Sequence, residues 1–110
     1  MKILMVCLGN ICRSPIAEGV MQAKFIKYQL SVEVDSAGVL SMHSGETPDE
    51  RATTVAAKYG VDISKQRARQ INKSDFSDFD LILTMDPSVH SQIKRLTSDP
   101  EQIKKIQLFL

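Results

Sequence analysis

The chain has 110 residues, 43% of them apolar and 25% charged, values that predict one soluble globular domain over 1–110. Fourteen Lys and Arg against thirteen Asp and Glu give a net charge of +1, which excludes a general nucleic-acid binder, since that needs a basic excess to displace counterions. No apolar run reaches a membrane span, the N-terminal apolar stretch is too short for a signal peptide, and two cysteines are too few for a secreted disulfide scaffold, so a cytoplasmic protein without a membrane partner is expected.

Lys2 to Val6 is a continuous apolar run, the pattern of a strand buried on both faces of a parallel sheet. A loop of about seven residues follows. Ser14-Pro15 then reads as a helix start, a capping hydroxyl before proline. Ala17, Val20, Met21 and Phe25 follow at helical spacing and predict the buried stripe of that helix. Val32 to Asp35 alternates as a second strand, with a loop over 36–45. Thr47-Pro48 opens a helix carrying Ala52, Val55, Ala56 and Tyr59, and Gly60 falls where a left-handed C-cap belongs. Residues 61–70 form a basic connector, and Ser74 to Asp78 a helical turn. Leu81 to Met85 is a third buried strand, after which Asp86-Pro87 caps a helix with Val89, Ile93 and Leu96 inward. His90, on that helix, is expected at its surface, and Lys105 to Leu110 is a fourth strand. Strands alternating with helices imply an α/β fold with a parallel sheet, whose ligands sit at the C-terminal strand ends. The loops after the first and second strands are therefore where a site is expected.

Cys7 and Arg13 bracket the first of these loops in a C-x5-R spacing. A turn between a buried strand and a helix N-terminus aims successive backbone N–H groups inward as an anion nest, backed by the helix dipole. Gly9 and Asn10 are residue types that tolerate left-handed dihedrals in such a turn. Arg13 adds a planar, bidentate donor for a tetrahedral oxyanion. A thiol facing these groups is expected to act as a nucleophilic thiolate. The plain alternative makes Cys7 a small buried hydrophobe and Arg13 a solvated charge. A nucleotide P-loop is excluded, because no Gly-x4-Gly-Lys-Ser/Thr is present.

Cys7-Leu8-Gly9-Asn10-Ile11-Cys12-Arg13-Ser14-Pro15 with Ala17-Glu18 resembles the signature of the low-molecular-weight protein tyrosine phosphatases. The resemblance continues through Asp35-Ser36-Ala37-Gly38, His43, Gly45, Pro48, Asp49, Arg51 and Ala52, then Ala68-Arg69-Gln70, Asp75-Phe76 and Phe79 to Asp86. It implies a flavodoxin-like three-layer sandwich on a four-stranded parallel sheet in the order 2-1-3-4. It further implies phosphomonoester hydrolysis on protein phosphotyrosine through a cysteinyl-phosphate. In that reading Cys7 is the nucleophile and Arg13 the phosphoryl clamp. Leu8, Gly9, Asn10, Ile11 and Cys12 complete the phosphate-binding loop with Ser14, which donates to the thiolate. Asn10 holds the loop backbone with Ser36 in its network, Cys12 is the redox partner of Cys7, and Leu8, Met42 and His43 form the pocket wall.

The sequence departs from the family pattern in several places. The family's general acid is an aspartate in an Asp-Pro loop after the fourth strand, and neither Asp86-Pro87 nor Asp99-Pro100 matches it. No general acid is therefore assigned in this chain, and the family's last helix is expected to be missing. An uncovered sheet face or edge would then favour self-association. Met42 stands where the family often has an aromatic, and Gln66 where it often has a histidine in the Asn10 network. Arg67, Arg69 and Lys73 form a basic set that would favour acidic phosphopeptides or serve as a solvated connector. The expected partners are a phosphotyrosine protein or aryl phosphate and inorganic phosphate or another oxyanion, with no metal and no cofactor. The alternatives are a weakly catalytic phosphate-binding or redox-sensing module of the same fold. Less favoured are an arginine phosphatase, which carries threonine in place of Ile11, and an arsenate reductase, which needs cysteines beyond Cys12.

Overall fold

The computed structural model describes residues 1–11 and 13–109. The elements run β1 (Lys2–Cys7), α1 (Arg13–Lys27), β2 (Glu33–Gly38), α2 (Glu50–Lys58), α3 (Asp75–Asp78), β3 (Leu81–Thr84), α4 (Pro87–Lys94), α5 (Pro100–Ile103) and β4 (Ile106–Leu108). They build a four-stranded parallel sheet in the order β2-β1-β3-β4. The central strand is buried on both faces from Ile3 to Cys7, as an apolar run without alternation requires. One face carries Leu4 and Val6 into a core with Phe76, Phe79, Ile82, Val89, Ile93 and Ile106. A smaller cluster of Ala52, Ala56 and Ile63, flanked by Ile16 and Val61, joins α2 to α1.

Several boundaries differ from the sequence expectation, each for a local reason. β2 extends to Gly38 because it stays in register with β1, pairing Met5 with Ser36, Val6 with Ala37 and Cys7 with Gly38. Helix α2 begins two residues later than Thr47-Pro48 suggests, since Asp49 is its N-cap and accepts from the Arg51 and Ala52 amides. Gly60 does close α2: it sits at φ 78°, its N–H goes to Ala57 O, and that of Val61 goes to Ala56 O, a Schellman pair. Val55 (47% exposed) and Tyr59 (81%) lie outside the α2 contact stripe, which is only the two alanines wide. Asp99-Pro100 starts the short helix α5, with Asp99 accepting from the Glu101 amide.

The expected core stripe of α1 is only partly covered. Its buried residues are Ser14 and Pro15, and Val20 is 38% exposed. Ala17, Val20 and Met21 instead line an open groove of about 410 Å³ with Arg13, Met85 and Phe109. His90 is half-buried rather than at the surface. Its Nδ1 lies 3.0 Å from Thr84 Oγ1, and because that hydroxyl donates to Gln107 O, the imidazole is the donor. Burial, with Lys94 nearby, lowers its pKa. Among the described residues no helix is long and apolar enough to cross a membrane.

Candidate active site

β1 delivers Cys7 to the C-terminal edge of the sheet, and α1 starts six residues later at Arg13. The intervening loop turns back so that its own groups surround the sulfur. Asn10 N donates to Cys7 Sγ at 3.1 Å, and Ser14 Oγ lies 2.9 Å from the same sulfur. Asn10 Nδ2 donates to Ser14 Oγ at 2.8 Å. That bond occupies the hydroxyl as an acceptor and leaves its one hydrogen for the thiol sulfur. Ser14 therefore orients toward Cys7 from inside the first turn of α1 instead of capping the helix. Cys7, Asn10 and Ser14 are all buried, at 4%, 2% and 0% exposure.

Asn10 is held in the left-handed region, at φ 59°, which brings its main-chain and side-chain amides to one side. Its side-chain oxygen accepts from the Arg69 amide at 3.0 Å. Beneath the loop lies Gly38. A Cβ there would come within 2.9 Å of Gly9 C and Leu8 O and 3.0 Å of Asn10 N. The chain beyond Gly38 continues alongside, with the Val39 amide on Cys7 O and the Leu40 amide on Leu8 O. From the other side the Asp49 amide donates to Ile11 O at 2.7 Å. The loop is thus gripped from β2, from the segment before α3, and from the start of α2.

One expectation about this network needs correction, and the Gln66 departure leaves it as well. Ser36 is not bound to Asn10; its hydroxyl donates to Glu18 Oε1 at 2.6 Å, where burial raises the carboxyl pKa against the effect of that hydrogen bond. Gln66 also turns elsewhere. Its Nε2 donates to Pro15 O at 3.1 Å, and its Oε1 is buried without a partner among the described residues. Cys12, assigned as redox partner, lies outside the described residues.

Arg13 is 56% exposed and its Nη2 donates to Asp86 Oδ2 at 2.8 Å. Asp86 is the expected N-cap of α4, accepting from the Val89 amide at 2.8 Å. That amide first, and Arg13 next, lower the carboxyl pKa, so Asp86 stays ionised at neutral pH. The pairing with Arg13 had no signal in sequence. At the mouth, Leu8 is 45% and Met42 72% exposed. The His43 ring lies over Gly9, its Cδ2 3.1 Å from where a Cβ would stand, and its Nδ1 meets the Glu46 carboxylate.

The basic set does not form a free patch. Arg67 donates to the Ser64 and Gln66 carbonyls of its own turn. Arg69 is forked onto both oxygens of Asp75 and also reaches Asp35. Burial opposes the Arg69 charge, but these two carboxylates outweigh it and hold its pKa above the usual arginine value.

A family model described as low molecular weight phosphotyrosine protein phosphatase matches residues 2–110. A Synechocystis protein bearing the family's name is 47% identical over 102 residues, covering 91% of this chain and 63% of its own length. Low molecular weight phosphotyrosine protein phosphatase 1 of Drosophila melanogaster is 44% identical over 108 residues, covering 97% and 69% respectively. This chain therefore spans roughly two thirds of these relatives. A protein tyrosine phosphatase from Entamoeba histolytica, solved with Hepes in its active site, superposes with a TM-score of 0.93 at 36% identity, over 98% of this chain and 69% of that one.

Proposed function

The chain belongs to the low molecular weight phosphotyrosine protein phosphatase family, and from that premise we propose that it hydrolyses aryl phosphomonoesters, phosphotyrosine in proteins among them, through Cys7. The observation that carries this reading is the buried sulfur at a helix start, met by the Asn10 amide and the Ser14 hydroxyl. Both donors converge on the atom that attacks and fix its position. In the first step the thiolate attacks phosphorus, the P–O bond to the aryl group breaks, and the phenolate leaves with the electron pair. In the second, water attacks phosphorus, the S–P bond breaks, and the Ser14 hydroxyl eases departure of the thiolate. The nest amides and Arg13 carry the equatorial oxygens; a guanidinium has five N–H donors, and Asp86 engages one N–H.

Neither Asp-Pro aspartate serves as the proton donor in this reading. Asp86 is ionised and tied to Arg13 and Val89, while Asp99 caps α5. A thiol nucleophile also fits a reducing compartment, which supports a cytoplasmic setting for this reading. The test pairs turnover with protection. The 110-residue chain is expected to release p-nitrophenol from p-nitrophenyl phosphate, and phosphate or vanadate is expected to slow alkylation of Cys7 by iodoacetate. Protection without turnover would leave an oxyanion binder; loss of both would overturn the reading.

The open groove on α1 supports one further proposal, that the chain self-associates through it. Val20, Leu108 and Phe109 are 38%, 42% and 39% exposed near an edge strand with one partner. Sedimentation velocity from micromolar to millimolar concentration is expected to show reversible dimers. A monomer throughout would refute it.

A further inference from the structure

We propose that Arg69 is a positioning residue for the nucleophile, acting through Asn10 and locked in place by Asp75 and Asp35; this rests on Cys7 being the nucleophile. The sequence of contacts begins on α3. Asp75, whose side chain is 5% exposed, receives Nη1 of Arg69 on one oxygen and Nη2 on the other, each at 3.0 Å. The Asn72 amide donates to the same carboxylate at 2.8 Å, fixing it independently of Arg69. On β2, Asp35 takes Nε at 3.3 Å and Nη2 at 3.1 Å, and its other oxygen accepts from the Ser36 amide. A guanidinium clamped by two elements leaves its own backbone little freedom.

That backbone is what the loop uses. The Arg69 amide donates to Asn10 Oδ1, and the Arg69 carbonyl accepts from Gly38 at 2.8 Å. Asn10 in turn bears on the sulfur twice: its own amide donates to Cys7, and its side-chain amide holds Ser14, whose hydroxyl faces Cys7. An asparagine at φ 59° without its Oδ1 anchor is free to relax. The two donors would then turn from the sulfur together. The Arg69 clamp thus sets how well the thiolate is stabilised, although no atom of its side chain bonds to the loop among the described residues.

The experiment measures the pH dependence of Cys7 alkylation by iodoacetamide in the 110-residue chain, with the alkylated peptide identified by mass spectrometry. Two variants are compared with the parent, Asp75→Asn and Arg69→Lys, at a temperature where circular dichroism shows each folded. The charged or titratable side chains beside the loop, Arg13 with its partner Asp86, His43 with its partner Glu46, and Asp49, are unchanged in both. The sign separates the explanations for Asp75→Asn. Removing a negative charge would by electrostatics alone make the thiol ionise more easily and move the curve to lower pH. Loss of positioning moves it to higher pH, by roughly one unit if one donor to the sulfur is lost. Arg69→Lys keeps the charge but loses the fork, and is expected to move the curve the same way. Curves that superpose on the parent, or shift downward, would overturn the proposal even where melting temperature falls, and the Arg69→Lys measurement decides it if Asp75→Asn does not fold. The readout needs no turnover, so a parent that fails to hydrolyse phosphoesters refutes the phosphatase reading separately.

Discussion

Serine in place of Cys7 is expected to lower hydrolysis of p-nitrophenyl phosphate by at least about 10³-fold while phosphate binding stays within a few-fold of the parent. A serine hydroxyl is far too weakly acidic to be an alkoxide at neutral pH, and the donors around the sulfur cannot compensate for that difference. Those donors nevertheless remain: the Asn10 amide and the Ser14 hydroxyl belong to the loop and to α1, not to Cys7, as does the Arg13 guanidinium proposed as the phosphate clamp. Initial rates and isothermal titration with phosphate check the two halves. Hydrolysis at the parent rate would place the nucleophile elsewhere. Lost phosphate binding in a folded variant would mean that the sulfur itself holds the nest open.

Alanine in place of Gly38 is expected to cost about 1–3 kcal/mol of stability and about 10²-fold in turnover. The three atoms a Cβ would meet, at 2.9 to 3.0 Å, are all backbone atoms of the loop, while ordinary contact begins near 3.4 Å. No side chain can swing aside. Either Leu8–Asn10 rises by about 0.5 Å, carrying the donors away from the sulfur, or the β1–β2 pairing at Cys7 and Gly38 opens. Gly45 supplies the control. It sits at φ 85° with nothing within 4 Å of a Cβ, so alanine there costs only local strain of about 1–2 kcal/mol and spares turnover. Chemical denaturation and steady-state rates on both variants test the contrast. Equal loss of turnover at the two positions would show that the close approach at Gly38 is not what shapes the loop.

Much of this molecule was legible in one dimension because its signals are local. The apolar run of β1 is satisfied by burial on both faces of the sheet, and the strand–loop–helix that follows puts Gly9 and Asn10 in the loop and Arg13 at the start of α1. Asp86-Pro87 and Gly60 act within a few residues of themselves, as a helix cap and a helix stop, so the elements they bound fell where expected. The parallel sheet in the order 2-1-3-4, implied by the resemblance, is the sheet observed.

What only the tertiary structure decided are the contacts between segments far apart in sequence, because spacing carries no record of them. Ser14 looked like a helix cap by its place before proline, and only the family resemblance implied its contact with Cys7; the folded loop presents it with that sulfur seven residues away, and the hydroxyl turns there. Ser36 met Glu18 rather than Asn10 because β2 stays in register with β1 to Gly38, lengthening a strand that local alternation had ended at Asp35. Arg69 read as one more charge in a basic connector until the fold placed Asp35 and Asp75 on either side of it. The element types follow from local pattern and the strand order from the family resemblance; which polar group satisfies which is settled only when distant segments compete for the same donors in a space that excludes water.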